Sequence, residues 1–176
     1  EQGGIAVERV PSIDTFNGRV RGGDVTIGLA GPVSWDDDGT LTIAPTTPNP
    51  LPVTFLLSGG STIETKATVM AADDVAIQGA STWRSFDPMR MISTKTDVRS
   101  ASIVDARSDL EIAGSVTIGS GVAADSHIDV GGDLQLSSGT LTIEEGGFVD
   151  VAGMLTISPT GTLNLNGGTL RVGNLV

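Results

Sequence analysis

The chain has 176 residues, a formal net charge of −11, 24 glycines and no cysteine. Its length allows one domain with a sizeable core, and the missing cysteines exclude disulfides and thiolate chemistry. The acidic balance argues against nucleic acid, whose phosphates would be repelled, and no stretch of about 18 apolar residues is present that could insert into a membrane.

The first part of the chain, residues 1–109, contains short alternating segments that recur irregularly and predict strands. The predicted strands are Val25–Ile27, Leu41–Ile43, Val53–Leu57, Ile63, Val69 and Val75–Ile77. Residues 45–52 hold four prolines, which an inner strand cannot accept, so we predict an extended loop there. Residues 79–100 combine a tryptophan with four basic residues, and we predict a second excursion or a cap.

Residues 102–112 fit two kinds of secondary structure. Ile103, Ala106 and Leu110 would share one face of a helix, whereas the apolar alternation around Leu110 favours a strand. We predict a strand here, and no helix longer than about three turns anywhere in the chain.

The second part, residues 110–176, repeats a short apolar–polar–apolar triplet every few residues. The triplets begin at Leu110, Val116, Ile128, Leu134, Leu141, Val149, Leu155, Leu163 and Leu170. Each triplet alternates as a strand does, but three residues are too few for an independent hairpin sheet. Glycine and asparagine separate the triplets, as at corners that need a positive φ.

A coil of three triplets explains this repeat. Leu134 and Leu155 lie 21 residues apart, and Leu141 and Leu163 lie 22 apart. We therefore predict an all-β fold: a single right-handed parallel β-helix (β-solenoid) with about three short strands per rung of roughly 18–22 residues. Aliphatic side chains should fill a narrow tube that excludes large aromatic ones. The residues expected to be buried are Leu141, Ile143, Leu155, Ile157, Leu163 and Leu165.

Three segments of the regular part, SGTLTI, AGMLTI and TGTLNLNGGTLRVG, carry a resemblance to known families. They resemble the Gly-Thr-Leu-x-Leu/Ile repeats of autotransporter-associated β-strand regions and the solenoids of PEP-CTERM-type bacterial surface proteins. The resemblance covers residues 114–176. It implies an exported protein whose solenoid serves as a stalk, a spacer or an adhesive surface.

Carboxylates offer the first candidates for a metal site. Asp36 and Asp38 lie in an acidic run, but an EF-hand register would put Pro45 where a bidentate Glu is required. A coil of the predicted length would also stack the middle residues of one face, which are Glu111, Asp129, Asp150 and Arg171. Calcium is the ion such a column would favour. We nevertheless predict no metal site, no cofactor and no catalytic residue.

One partly basic cluster stands out in this acidic chain. Tryptophan, arginine and methionine are enriched at interfaces, so this cluster is a candidate interface or end cap, together with the last two residues. The candidates are Trp83, Arg84, Phe86, Met89, Arg90, Leu175 and Val176.

The functional expectation is a non-enzymatic structural or adhesive segment of an exported bacterial surface protein, located outside the cell or on its surface. Its partners would be adjoining solenoid coils or other copies of the chain, and surface polysaccharide is the expected ligand class if it binds one. The first alternative is a polysaccharide-binding or polysaccharide-cleaving β-helix, which an outward aromatic pair beside two carboxylates would favour. The second is a filament subunit whose coil ends stack head to tail.

Overall fold

A computed structural model describes residues 54–119 and 125–175 of the chain and, before them, the backbone of five strands. In chain order the strands are β1 (Ile5–Val7), β2 (Ile13–Asp14), β3 (Arg19–Arg21), β4 (Val25–Ile27), β5 (Ser34–Ala44), β6 (Thr54–Leu57), β7 (Thr62–Met70), β8 (Asp74–Ile77), β9 (Thr82–Ser85), β10 (Met89–Met91), β11 (Lys95–Val98), β12 (Ile103–Ala106), β13 (Leu110–Ile112), β14 (Ser115–Ile118), β15 (Ser126–Val130), β16 (Leu134–Leu136), β17 (Gly139–Glu144), β18 (Gly147–Ile157), β19 (Gly161–Asn166) and β20 (Thr169–Leu175). No residue in these ranges is helical.

The strands form three faces of a parallel β-solenoid. Face 1 is an eight-stranded sheet in the order β1-β4-β6-β8-β11-β14-β17-β19. Faces 2 and 3 belong to one twelve-stranded sheet, because β5, β7 and β18 pass a corner and contribute to both. Face 2 contains β2, β9, β12, β15 and the first half of each long strand, and face 3 contains β3, β10, β13, β16 and the second half. β20 adds a last strand to both.

Successive coils have the length that the triplet spacing predicts. Val75 pairs with Thr96 on face 1, and Met91 pairs with Ile112 on face 3, so both columns advance by the same step along the chain. The predicted stacking of Leu141 on Leu163 is confirmed. The predicted three-strand parallel coil is therefore the fold, and residues 102–112 supply two of its strands, β12 and β13.

The prediction of an excursion at residues 79–100 is wrong. This segment supplies β9, β10 and β11, one strand to each face, and each of them pairs on both sides. The coils from residue 54 onward are thus part of the regular solenoid, which does not begin at residue 110. The predicted loop at residues 45–52 lies outside the described residues.

The core contains two large aromatic side chains that the sequence analysis excluded. Trp83 is fully buried, and its ring centroid lies 5.1 Å from that of Phe55. Its indole Nε1 donates a hydrogen bond to Thr68 Oγ1 at 3.2 Å. Some other inward side chains are small, such as that of Ser85, which is also fully buried. The large volume of the indole is therefore balanced by small side chains at other core positions.

Burial of the inward side chains depends on the coil in which they lie. Leu141, Ile143 and Leu155 are buried as predicted. Leu163 is half-buried, and Ile157 and Leu165 are 41% and 54% exposed, so the prediction is wrong for these three. They occupy inward register positions of the last coil, where no further described strand covers them.

Buried serines mark the corner between faces 1 and 2. The backbone N–H of Ser61 donates to Ser81 Oγ, and that of Ser81 donates to Ser102 Oγ, both at 3.2 Å. Each serine precedes a face-2 strand and thereby satisfies a backbone group of the neighbouring coil. This serine spacing was visible in the sequence but did not enter the prediction.

Aspartates mark the corner between faces 2 and 3. Asp109 Oδ1 accepts a hydrogen bond from the backbone N–H of Asp133 at 2.9 Å, and Asp133 Oδ1 accepts one from Met154 at 2.8 Å. Each carboxylate thus ties its own coil to the next. The SDL and GDL segments of the sequence therefore have a structural role at this corner.

Gly139 shows why glycine recurs at the corners. Its φ is +77°, and a Cβ there would overlap the carbonyl oxygen of Gly114. We expect Gly139→Ala to lower the free energy of unfolding by about 1–3 kcal/mol, measured by urea denaturation. Gly60→Ala is the control, because Gly60 has a similar φ of +73° with open space around its Cβ. Equal losses in the two variants would contradict the close approach of the backbones at Gly139.

Candidate functional site

One outward row of face 2 carries a continuous series of charges. Inward residues such as Ile128 and Val149 are fully buried, and the residues that alternate with them stand in register from coil to coil. We call this row the face-2 charge column. Its members with described side chains are Glu64, Arg84, Asp105, Asp129, Asp150 and Arg171, and the backbone register continues through Asp36 and Asp14.

The sequence analysis placed Glu111 in this column, and that is wrong. Glu111 lies on face 3, where it pairs in register with Arg90 and Gln135. Arg90 Nε donates to Glu111 Oε2 at 2.7 Å, and this bond holds the pKa of Glu111 below its usual value, with a smaller contribution from Ser137. The other three predicted members, Asp129, Asp150 and Arg171, do stack as expected.

Arg84 joins three consecutive coils of the column. Its guanidinium forms an ion pair with Glu64 of the preceding coil and with Asp105 of the following one, the latter at 2.8 Å. Asp105 also accepts a hydrogen bond from Arg107 Nε at 2.8 Å and is only 9% exposed. A buried carboxylate with two guanidinium partners is well compensated, so this part of the column stabilises the fold.

Among the described side chains of the column, Asp129 is the charged group that forms no ion pair. It lines a shallow depression of about 310 Å³ together with Asp105, Arg107 and Asp150. Burial raises the pKa of Asp129; the charge of His127 opposes this, and Asp105 and Asp150 raise it further. The depression therefore holds a carboxylate that retains its proton to a higher pH than an ordinary aspartate does.

We expect Asp129→Asn to raise the melting temperature at neutral pH. Because the folded-state pKa of Asp129 is raised, the folded chain binds more protons than the unfolded chain between the two pKa values. The free energy of unfolding therefore falls as pH rises through that window. The advantage of the variant should disappear below the usual pKa of aspartate, near 4, where both states are protonated. Melting temperature measured against pH gives both results.

The control variant, Asp105→Asn, should have the opposite effect at neutral pH, since it deprives Arg84 and Arg107 of their shared partner. A parent that is more stable than Asp129→Asn at neutral pH would contradict the account of the depression. A calcium-dependent rise in the melting temperature of the parent alone would contradict the prediction of no metal site.

A second outward row of face 2 contains two aromatic rings. Ile103, His127 and Phe148 stand in register on successive coils. The ring centroids of His127 and Phe148 lie 5.3 Å apart at an angle of 43°, and the guanidinium carbon of Arg171 lies 5.5 Å from the Phe148 centroid. This outward aromatic pair stands in the row next to Asp129 and Asp150, on the same two strands, and does not line the depression itself.

The structure separates the predicted interface residues into three groups. Trp83 and Met89 are fully buried, so they are core residues and not surface contacts. Arg90 is exposed, as is Phe86, which is 52% exposed, while Arg84 belongs to the face-2 charge column. The side chains of Leu175 and Val176 lie outside the described residues.

The two candidate metal ligands of the acidic run, Asp36 and Asp38, lie within strand β5. Asp36 stands in the face-2 charge column between Asp14 and Glu64, and Asp38 falls at an irregularity where β5 turns from face 2 to face 3; their side chains lie outside the described residues. Within the described ranges, no group of three His, Cys, Asp or Glu side chains has a geometry that could hold a metal ion. Nor does any helix there have the length and apolarity needed to cross a membrane.

Comparisons of the chain with protein-family models, with curated proteins and with solved structures found no match.

Proposed function

We propose that this chain is a non-enzymatic structural or adhesive segment of an exported bacterial surface protein. The observation that carries the proposal is the continuity of the parallel ladders. Face 1 pairs without a break from β1 to β19, and faces 2 and 3 accompany it. Three ladders of backbone hydrogen bonds, one on each face, therefore hold each coil to the next. This arrangement suits a rod that must resist extension. The resemblance of residues 114–176 to bacterial surface repeats supports the same function.

The outward faces of such a rod suit it for adhesion. Parallel strands repeat at about 4.8 Å along the axis, so the outward side chains form a regular array that a repetitive partner can match. In the described coils, the face-2 charge column presents side chains of both charges, and the adjoining row presents the aromatic rings of His127 and Phe148. We propose face 2 as the adhesive face.

Export is tested on intact cells of the source bacterium. Antibodies raised against the folded chain should label intact cells, and external protease should remove that label while a cytoplasmic marker is retained. Labelling only after lysis would contradict surface exposure.

The proposed resistance of the rod to extension is tested by pulling single molecules from both termini. The chain should unfold in steps, each releasing about 70 Å, which is the extended length of one coil. Extension at negligible force without steps would contradict a rod that resists tension, whatever the outcome of the labelling experiment.

A second function, polysaccharide binding, is favoured by one observation: the His127–Phe148 pair stands in the outward row next to Asp129 and Asp150, on the same two strands. Aromatic rings contact sugar faces, and carboxylates accept hydrogen bonds from sugar hydroxyls. Two carboxylates on adjacent coils also lie near the separation that glycoside hydrolysis requires, so cleavage is measured in the same experiment. The ring contact between His127 and Phe148 equally serves to stack the coils, so binding remains the second candidate.

The binding test uses a glycan array and a reducing-end assay with neutral, acidic and amino polysaccharides. Specific binding that Phe148→Ala abolishes, with the control Phe86→Ala unchanged, would support this candidate. New reducing ends that appear with the parent but not with Asp129→Asn would establish cleavage. If none of the three polysaccharide classes binds, polysaccharide binding is excluded as the second candidate, and the structural function is the one that is left.

A further inference from the structure

Among the asparagines with described side chains, Asn166 is the one that glycine follows directly. Asn166 ends strand β19, and Gly167 stands between that strand and β20. Both residues are exposed. The carboxamide of Asn166 has no hydrogen-bond partner among the described residues. An unpaired carboxamide next to a residue without a side chain is the arrangement in which asparagine can react with the backbone that follows it.

The backbone at Gly167 has room to move. Its φ is +91°, which glycine adopts without strain. A Cβ placed there would meet no atom closer than Glu145 Cβ, at 3.6 Å. The next residue is tighter, because a Cβ on Gly168 would overlap Ile143 Cγ2. The peptide between Asn166 and Gly167 can therefore turn while the following residue keeps its place.

The hydrogen bonds at this corner do not hold the nitrogen of Gly167. Gly167 forms an isolated bridge opposite Glu144. At this bridge the N–H of Gly168 donates to the carbonyl oxygen of Ile143 at 3.3 Å. The corner is thus held through the nitrogen of Gly168, and the nitrogen next to Asn166 is available as a nucleophile.

We propose that Asn166 is a site of spontaneous deamidation. The backbone nitrogen of Gly167 attacks the side-chain carbonyl carbon of Asn166 and forms a new C–N bond. The bond from that carbon to the amide nitrogen breaks, and the amide leaves as ammonia with the proton that the backbone nitrogen gives up. Water then opens the cyclic succinimide at either carbonyl, which yields aspartate or isoaspartate. The reaction consumes one water and needs no oxidant, reductant or enzyme.

Either product puts a carboxylate beside an existing one. Asn166 is the register partner of Glu144 on face 1, and Glu144 is half-buried. Like charges directly opposite each other destabilise a sheet, so conversion should weaken the pairing of β19 with β17 at this corner. Each conversion also adds one negative charge to a chain whose formal net charge is already −11.

Isoaspartate should have a second effect, because its main chain runs through the side-chain carboxyl and is one methylene group longer. The added length falls between β19 and β20. It precedes Leu170, which packs against the core, and Arg171, whose guanidinium lies 3.4 Å from Asp150. Both contacts should loosen in the isoaspartate form and persist in the aspartate form. The proposal does not depend on export, adhesion or polysaccharide binding.

The first test is peptide mapping by mass spectrometry after incubation of the folded chain at neutral and at mildly alkaline pH. Asn166 should gain the mass that separates a carboxylate from an amide, and faster at the higher pH, because the attacking nitrogen must lose its proton. Asn164 and Asn174 precede leucine, so they are internal controls and should remain amides. Asn17 also precedes glycine but lies outside the described residues, so fragment ions must assign each conversion to its residue.

The second test compares melting temperatures before and after incubation. The parent should lose stability as it converts, whereas Asn166→Gln should not, because its longer side chain would have to close a larger ring. Freshly purified Asn166→Asp carries the new charge without the added methylene group. The fully converted parent should therefore melt below Asn166→Asp, and an enzyme that methylates isoaspartate should label the converted parent alone.

Two outcomes would overturn the proposal. One is a folded chain whose Asn166 stays an amide; conversion of the same chain in urea would then show that the coil protects the site. The other is conversion of Asn164 and Asn174 as fast as Asn166, because the glycine and the room around it would then have no influence. Neither outcome bears on surface labelling or on stepwise unfolding, so failure of this inference is distinguishable from failure of the proposed function.

Discussion

Leu141→Ala is expected to lower the free energy of unfolding by about 2–5 kcal/mol. Leu141 is fully buried, with Val116 of the preceding coil and Leu163 of the following one in its register column. The substitution replaces the isobutyl side chain by a methyl group and leaves a cavity between two coils. The stacked backbones cannot easily close this cavity. Urea denaturation monitored by circular dichroism measures the loss.

Leu165→Ala is the matched control for Leu141→Ala, because it makes the same substitution in the last coil. Leu165 is 54% exposed, so its truncation should cost under about 1 kcal/mol in the monomer. Losses of equal size would mean that the last coil is covered.

Trp83→Ala is expected to cost about 3–5 kcal/mol. The indole is fully buried against Phe55, and its loss also leaves the Thr68 hydroxyl without one of its hydrogen-bond partners. In a chain that carries Trp35→Phe, the fluorescence of Trp83 gives a second measurement, because a buried indole should emit at short wavelength and shift to the red on unfolding.

Phe86→Ala tests the same segment three residues further on. Phe86 is 52% exposed, so we expect a loss under about 1 kcal/mol. If residues 79–100 formed an excursion, one of the two structures that the sequence analysis predicts for them, both substitutions would be nearly neutral. A nearly neutral Trp83→Ala would therefore contradict the core placement of this segment.

The regular coils could be predicted because the two inward positions of each triplet are aliphatic. Leu141 with Leu163, and Leu134 with Leu155, are register partners as predicted. The coil between residues 79 and 100 escaped prediction because polar residues take some inward positions there. Ser85 and Thr96 are fully buried, and beside a large indole they hide the alternation that identifies a strand.

The charge column was predicted only in part because coil length varies. The step along the chain from Glu111 to its register partner Gln135 is longer than the preceding step from Arg90 to Glu111. The extra residues lie between β14 and β15. A constant spacing along the chain therefore predicts the wrong register partner across this coil. It places Glu111 on the face that carries Asp129, although Glu111 lies on face 3. The sequence analysis names Arg84 as an interface candidate but does not place it in the charge column, because it interprets residues 79–100 as lying outside the repeat.

Disulfide trapping tests the register of the solenoid most directly. The chain has no cysteine, so only introduced pairs can form. Thr117 and Thr142 are register partners on adjacent coils of face 1, at a separation of about 4.8 Å that permits a disulfide. Asn164 follows Thr142 in the same column, two coils from Thr117.

Oxidation of the Thr117→Cys/Thr142→Cys variant under conditions where the chain is monomeric should give an intramolecular disulfide in high yield, detected by mass spectrometry and by gel mobility. The Thr117→Cys/Asn164→Cys variant should give none, because its cysteines lie about 9.6 Å apart, beyond disulfide reach. A disulfide in the second variant, or none in the first, would contradict the parallel coil register on which the faces and the charge column both depend.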